Sequence, residues 1–292
     1  MPSATGFRQT MKGLAAAAGA IFGSAKPPDA STKKEVRIGI ALGGGFARGA
    51  AHIGVLRVLE RNKIPIHCIA GVSAGAIVAS AYASGSTLDE IERLARAMRF
   101  RDVAGWSINI LGLANSDRMD KFLDRALRVH RFEEMPIRLA IVASDLGNGR
   151  PVIFRDTGDV KNPIRASCSY PGLFQPVRLN GRLLVDGAIT MDLPAEPLHS
   201  MGATHVIAVS LPTPLEVTDP GNLLGVVNRC FQILQRRTEE EWRKYSTLVL
   251  EPDVAKVSWD GFEQASEMIA AGEVAAEAAL PVIKGWMKSG HV

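Results

Sequence analysis

The chain of 292 residues has only three cysteines, Cys68, Cys168 and Cys230, far apart and without a CxxC pair. That excludes a disulfide scaffold and a cysteine-based zinc site, and leaves buried, reduced thiols as the expectation. Aromatic residues make up 6% of the chain, too few to furnish stacking platforms for bases. No run of roughly eighteen apolar residues occurs, so no transmembrane helix is expected. The body of the chain also lacks an excess of either charge. The net charge of +4 sits on residues 1–34, where Arg8, Lys12, Lys26, Lys33 and Lys34 face the single acid Asp29. Nucleic-acid binding needs Lys and Arg clustered on a folded domain, so no nucleic-acid partner is expected. No cluster of oxygen ligands suited to calcium stands out, and neither a metal nor a cofactor is expected.

What is present divides at about residue 35. Residues 1–34 join early cations to an uncharged Ala- and Gly-rich stretch, Gly13–Ala25. A secretory signal, a membrane-adsorbing segment and a plain flexible tail all fit this basic leader. The matching locations are the cytoplasm or the periphery of the inner membrane, or export if residues 1–25 are a signal peptide. Residues 35–292 read as one domain. Strands are expected at Val36–Leu42, Ile64–Ala70, Arg138–Ala143, Pro151–Phe154, Leu183–Val185, His205–Leu211 and Thr247–Leu250. Helices are expected at Ala47–Arg61, Ser73–Ala83, Leu88–Met98, Asp117–Val129, Leu223–Tyr245 and Phe262–Met287. Continuous apolar strands separated by helices indicate a sheet covered on both faces. The expected fold is α/β, a three-layer α/β/α sandwich with a mostly parallel central sheet.

Three segments carry chemistry. Gly71-Val72-Ser73-Ala74-Gly75 is G-x-S-x-G between an apolar strand and a helix. Glycines two residues to either side relieve crowding at a sharp corner, and the serine Oγ stands at the positive end of the following helix. A tight packing turn satisfies the same string. The second segment is Leu42-Gly43-Gly44-Gly45-Phe46-Ala47-Arg48-Gly49. It fits neither a Walker A loop nor G-x-G-x-x-G. It does fit a turn whose free N–H groups converge on one oxygen. The third is Leu183-Leu184-Val185-Asp186-Gly187, which sets a carboxylate at a strand exit, where a parallel sheet presents its reactive edge.

A serine nucleophile needs a base. The histidines are His52, His67, His130, His199, His205 and His291. His67 lies within an apolar strand and His291 in the tail, whereas His199 and His205 follow Asp186 and complete a Ser…Asp…His order. On the residues alone, Asp186, His199 and His205 all remain candidates.

Taken together, the motifs resemble those of the patatin-like phospholipases, in particular the bacterial branch similar to the catalytic domain of neuropathy target esterase. The resemblance runs from about Val36 to Val257. It rests on the glycine loop with Ala51-His52-Ile53-Gly54, on Gly71-Val72-Ser73-Ala74-Gly75 and on Val185-Asp186-Gly187-Ala188. Ile164-Arg165-Ala166-Ser167-Cys168-Ser169-Tyr170-Pro171-Gly172 and Phe174-Gln175-Pro176-Val177 add to it. It implies a serine–aspartate dyad without histidine, with Ser73 as nucleophile and Asp186 as base. It further implies an oxyanion hole at Gly44 and Gly45, a loop fixed by Arg48, and corners shaped by Gly71, Gly75 and Gly187. The implied substrate is a phospholipid or lysophospholipid, cleaved through an acyl-enzyme without a metal. Peripheral membrane contact would come through the leader.

Two positions depart from the family pattern. Phe46 stands where relatives of neuropathy target esterase carry another Gly, and Asp192 where many members have Asn before Leu-Pro. Leu113, Leu173 and Phe174 are candidate acyl-pocket residues. Two other readings stay open: a non-catalytic adaptor, and a histidine-dependent α/β-hydrolase of small soluble esters. Within Leu223–Tyr245, Arg229, Arg236, Arg237, Arg243 and Lys244 accompany Glu239, Glu240 and Glu241. The helix reads as amphipathic, packed through Leu224, Val227, Phe231 and Leu234, with a membrane- or partner-facing role as the alternative.

Overall fold

Short runs of aliphatic and β-branched residues build the sheet. A computed structural model describes residues 35–289 apart from 110, 212–214 and 216–218. The leader 1–34 and His291 therefore lie outside the described residues. Strand β1 (Ile38–Leu42) is buried throughout and pairs in parallel with β2 (Ile66–Gly71) on one side and β9 (His205–Val209) on the other. Beyond β9 lies β10 (Leu248–Leu250), and beyond β2 lies β5 (Arg138–Asp145), again parallel.

The sheet is mostly parallel, as expected, and its antiparallel pairings are gathered around β5 and beyond it. Strands β6 (Pro151–Arg155) and β8 (Arg182–Asp186) both run antiparallel to β5, and β7 (Val177–Leu179) runs antiparallel to β8. Hairpin connections of a few residues allow antiparallel pairing, whereas a parallel neighbour requires a crossover. An antiparallel hairpin of β3 (Gly105–Asn109) and β4 (Gly112–Asn115) forms a separate small sheet that no sequence pattern announced.

One face of the sheet, through Ile38, Ile40, Leu42, Ile69, Ile141 and Ile207, meets the larger helical layer. That layer holds α1 (Ala51–Arg61), α2 (Ala74–Ala83), α3 (Leu88–Ala97), α4 (Asp117–Ala126) and the C-terminal helix α8 (Ala265–Ser289). The other face, through Ala41, Cys68, Ala70, Val206 and Ala208, meets α6 (Glu196–Ser200) and the end of α7 (Leu223–Arg243) at Trp242. Helix α5 (Lys161–Ser167) packs against β5 and β8. The expected helix from Ala47 divides into a 3-10 turn, Phe46–Ala50, followed by α1. The glycines on α1 and α8 let their backbones touch, since a Cβ on Gly54 would stand 1.9 Å from the carbonyl oxygen of Ile269. Among the described residues, no helix is long and apolar enough to cross a membrane.

Candidate active site

The edge of β5 explains how the site is assembled. Strand β6 pairs with residues 140–144 of β5, so β2 and β8, whose partners overlap that stretch, must both use the opposite edge. On that shared edge Gly71 stands opposite Ile141 and Asp186 opposite Ala143, with only Val142 between the two positions. Two strands arriving from opposite directions thus end head to head. Chain turning away from one end presents Ser73, and the other end presents Asp186. The expectation that Asp186 leaves a strand parallel to its neighbour is corrected: β8 is antiparallel, and the meeting of strand ends brings the carboxylate to the serine.

Ser73 has φ 53° and ψ −123°, a conformation uncommon for a residue with a Cβ. Its surroundings hold it there. The Ser73 N–H donates to Ser167 Oγ at 2.9 Å, and the Val72 N–H donates to the Leu42 carbonyl at 3.1 Å. A Cβ on Gly75 would lie 2.2 Å from the Leu42 oxygen, and one on Gly71 2.4 Å from the Gly75 oxygen. Both glycines are therefore required by close backbone approach. A Cβ on Gly187 would meet the Val142 oxygen at 2.3 Å, where the chain leaves β8.

The glycine loop after β1 is anchored on three sides. The buried His52 donates from Nε2 to the Gly43 carbonyl at 2.9 Å, because a carbonyl oxygen only accepts. Burial lowers the His52 pKa to about 4 against the opposing effect of that hydrogen bond, so the ring is neutral. Arg48 donates from Nε to the Val257 carbonyl at 2.9 Å, and the Ala47 N–H donates to the Trp259 carbonyl at 3.1 Å. Arg48 thus ties the loop to the segment before α8. Gly44 lies against the serine, since a Cβ there would be 3.5 Å from Ser73 Cβ. Among the described residues, the N–H groups of Gly44 and Gly45 donate to no acceptor.

Asp186 is 1% exposed. Its Oδ1 accepts from the Ala188 N–H at 2.9 Å, and Asp186 shares the wall of one cavity with Ser73. Burial raises its pKa to about 7; the bond from Ala188 and the nearby Ser73 hydroxyl oppose this, and the charge of Asp192 adds to it. Asp192 accepts from Gln235 Nε2 at 2.6 Å, and burial raises it to about 6. The two candidate histidines after Asp186 are elsewhere. His205 opens β9 opposite Ile38, whereas Val209 at the other end of that strand stands opposite Leu42, where the glycine loop begins. Four residues of strand, about 13 Å, separate the two levels. His199 is exposed and bonds the Tyr245 carbonyl at 2.9 Å. The Ser…Asp…His order in sequence corresponds to no triad in space.

Two cavities open on Ser73. The first, of about 930 Å³ including its mouth, runs among Ile53, Ile77, Ile91, Met98, Phe122 and Phe174. Among the described residues, Ser73 supplies the only hydroxyl and Cys168 the only thiol on its walls, and no charged side chain lines it. Burial, then the charge of Asp186, raises the Cys168 thiol well above its ordinary range. The second, of about 520 Å³, includes Gly44, Gly45, Ser73 and Asp186 and is polar through Tyr170, Asn228 and Gln235.

Phe46 lines both cavities. Its φ of 50° lies in the left-handed region that favours glycine. It is held there edge-on to Tyr170, with ring centroids 4.9 Å apart, and to Trp259 at 5.2 Å. Of the three residues expected in an acyl pocket, only Phe174 lines the apolar cavity. Leu173 borders a separate cavity with Tyr170 and Leu224, and Leu113 is carried outward on the β3–β4 hairpin and is exposed. Buried thiols are found at Cys68 and Cys168, but Cys230 is exposed on the outer side of α7. Sequence reasoning gave no role to His52, Ser167 or the Asp192–Gln235 pair. A polar residue inside the apolar face of α1 was the signal for His52.

These features define an α/β/α protein with a serine–carboxylate site beside a large apolar cavity. The chain belongs to the patatin-like phospholipase family, whose model matches residues 40–199. It is 38% identical over 178 residues to an uncharacterized NTE family protein of Mycobacterium tuberculosis, covering 60% of this chain and 49% of that protein. A second such protein of the same organism is 31% identical over 274 residues, covering 83% and 46% respectively. The neuropathy target esterase of Drosophila melanogaster is 29% identical over 183 residues, covering 60% and 13%. The chain therefore spans about half the length of the first two relatives. Among solved structures, VipD from Legionella pneumophila shares the fold, with a TM-score of 0.50 and 13% identity over 85% of this chain and 67% of that one.

Proposed function

We propose that the chain is a serine lipid acyl hydrolase of the phospholipase A or lysophospholipase type. The observation that carries this reading is the place of Ser73: among the described residues, the only hydroxyl on the wall of a large apolar cavity, and a neighbour of a buried carboxylate in the adjoining polar one. An acyl chain in that cavity brings its ester carbonyl to Ser73, with the alcohol portion in the polar cavity. Asp186 takes the proton of Ser73 Oγ as the oxygen attacks the carbonyl carbon. The resulting oxyanion accepts from the N–H groups of Gly44 and Gly45, each such donor being worth about 3 kcal/mol. Protonated Asp186 returns its proton to the leaving alcohol, and an acyl-enzyme remains. Water, deprotonated by Asp186, then releases the fatty acid and restores Ser73.

A carboxyl group with a pKa of about 7 suits this double role, since a general base works best when its pKa is near the working pH. The lipid class draws support from family membership and from a relative named lysophospholipase NTE1 in Cryptococcus neoformans, 32% identical over 60% of this chain and 11% of that protein. The test compares wild type, Ser73→Ala, Asp186→Ala and His199→Ala on p-nitrophenyl butyrate and lysophosphatidylcholine, with fluorophosphonate labelling alongside. Loss of turnover in the first two variants and normal turnover in His199→Ala is expected. Turnover that survives in Asp186→Ala sinks the dyad, and wild type that neither turns over nor labels favours an adaptor.

A further inference from the structure

Helix α7 turns Asn228, Phe231 and Gln235 toward the polar cavity. Its opposite face is apolar where it meets solvent. Leu223 is 76% exposed, Val226 44% and Ile233 45%, with exposed Cys230 between them. Their spacings of three, four and three residues place them in one stripe along the helix. Arg237 extends that stripe by one turn and Arg236 stands beside it; both are exposed, and neither joins an ion pair among the described residues. Of the nearby acids, Glu239 is paired with Arg243 and Glu241 with Lys244, which leaves Glu240 exposed beyond the arginines.

A second element also exposes aliphatic side chains. Exposed Leu111 and Leu113 lie on the turn and start of β4 in the small hairpin. The N–H groups of Leu113 and Ala114 donate to the Leu173 carbonyl at 3.1 and 2.9 Å. The neighbouring Gly172 packs under α7, a Cβ there being 3.7 Å from both Leu224 and Val227. The Gly172–Leu173 segment thus touches both elements, and each of them exposes aliphatic side chains.

We infer that the outer face of α7, with Leu111 and Leu113, docks the protein on an anionic lipid bilayer. The inference rests on the lipid reading of the site. An aliphatic stripe flanked by arginines is the pattern of a helix lying in a membrane interface, with aliphatic groups among the acyl chains and guanidinium groups at anionic headgroups. The same helix lines the polar cavity with its inner face, so docking sets the site against the surface that holds its substrate.

The full chain is mixed with vesicles of phosphatidylcholine alone, or with one quarter phosphatidylglycerol, and sedimented. Two variants accompany it: Leu223→Ser/Val226→Ser/Ile233→Ser and Arg236→Glu/Arg237→Glu. Wild type is expected to prefer the anionic vesicles and to be released by added NaCl. Each variant is expected to lower the partition coefficient roughly tenfold or more, with an unchanged circular dichroism spectrum and unchanged hydrolysis of p-nitrophenyl butyrate. Wild type that ignores both vesicles overturns the inference, as do variants that bind like wild type because the basic leader carries the attachment. Variants that lose self-association in analytical ultracentrifugation while keeping vesicle binding overturn it in favour of a second copy. Vesicle binding that depends on α7 in a protein that hydrolyses no ester upholds the docking surface and sinks the hydrolase reading.

Discussion

The imidazole of His52 and the carbonyl of Gly43 form a buried hydrogen bond of 2.9 Å that sets the direction of the glycine loop. With that carbonyl held toward α1, the loop can leave the next two N–H groups undirected by any internal acceptor. His52→Ala is expected to lower turnover roughly 10- to 100-fold through misplaced donors. It also leaves the Gly43 oxygen unsatisfied, at about 1–3 kcal/mol of stability. His52→Gln, which retains an N–H donor, is expected to recover part of both. Turnover and urea unfolding of the two variants check this. Because burial holds His52 neutral down to about pH 4, its loss should not displace the pH profile.

Asp186 titrates at about 7 in the fold, so the turnover of wild type should rise through pH 7 and level off above it. Stability has the opposite sign. The folded protein binds this proton more tightly than the unfolded chain, whose carboxyl titrates near its ordinary 3.8. Stability from this group is therefore greatest below about pH 4, falls as pH rises to about 7, and stays reduced above. Asp186→Asn is expected to be inactive yet more stable than wild type at pH 8, by about 1–3 kcal/mol, with the difference shrinking at pH 5. Guanidinium unfolding at the two pH values measures it.

Phe46 is in a left-handed conformation, which reverses the usual order of small substitutions. In an ordinary helix Ala is favoured over Gly by about 1 kcal/mol. At this position Phe46→Gly is expected to be at least as stable as Phe46→Ala, while both lose the contacts with Tyr170 and Trp259. Both also remove the wall shared by the two cavities, so the relative rate on esters with branched acyl groups should increase. Thermal melts and paired substrate assays decide both points.

The glycines divide into two kinds. Gly75→Ala forces a Cβ against the Leu42 carbonyl at 2.2 Å and is expected to prevent soluble expression or cost more than about 3 kcal/mol. Gly44→Ala meets nothing nearer than 3.5 Å and should fold normally, yet it fills space beside Ser73 and should depress turnover. Expression yield, melting temperature and rate separate the two cases.

Much of the site was legible because its cause is local. The corner at Ser73 needs glycines two residues away on either side, and the string records that need. The runs at β1, β2, β5 and β9 were readable because both faces of those strands are buried, which removes polar alternation. The β3–β4 hairpin was not readable: two strands of five and four residues, with a register shift between them, leave no period to detect. The acyl-pocket expectation met its limit at Leu113 for the same reason, since that hairpin decides which way the leucine faces.

Asp186 shows where the boundary falls. Its sequence alone determined that a carboxylate ends an apolar strand and is followed by a glycine. The direction of that strand was undetermined, because an apolar run reads alike whether its neighbour is parallel or antiparallel. The choice among Asp186, His199 and His205 was open for a related reason: chain order carries no distance. Only the tertiary structure shows which of them stands near Ser73, by seating β2 and β8 end to end on one edge of β5 and leaving His205 at the far end of β9. Local backbone sterics are written in neighbouring residues, but the contact between Ser73 and Asp186 depends on strand pairing between segments more than a hundred residues apart.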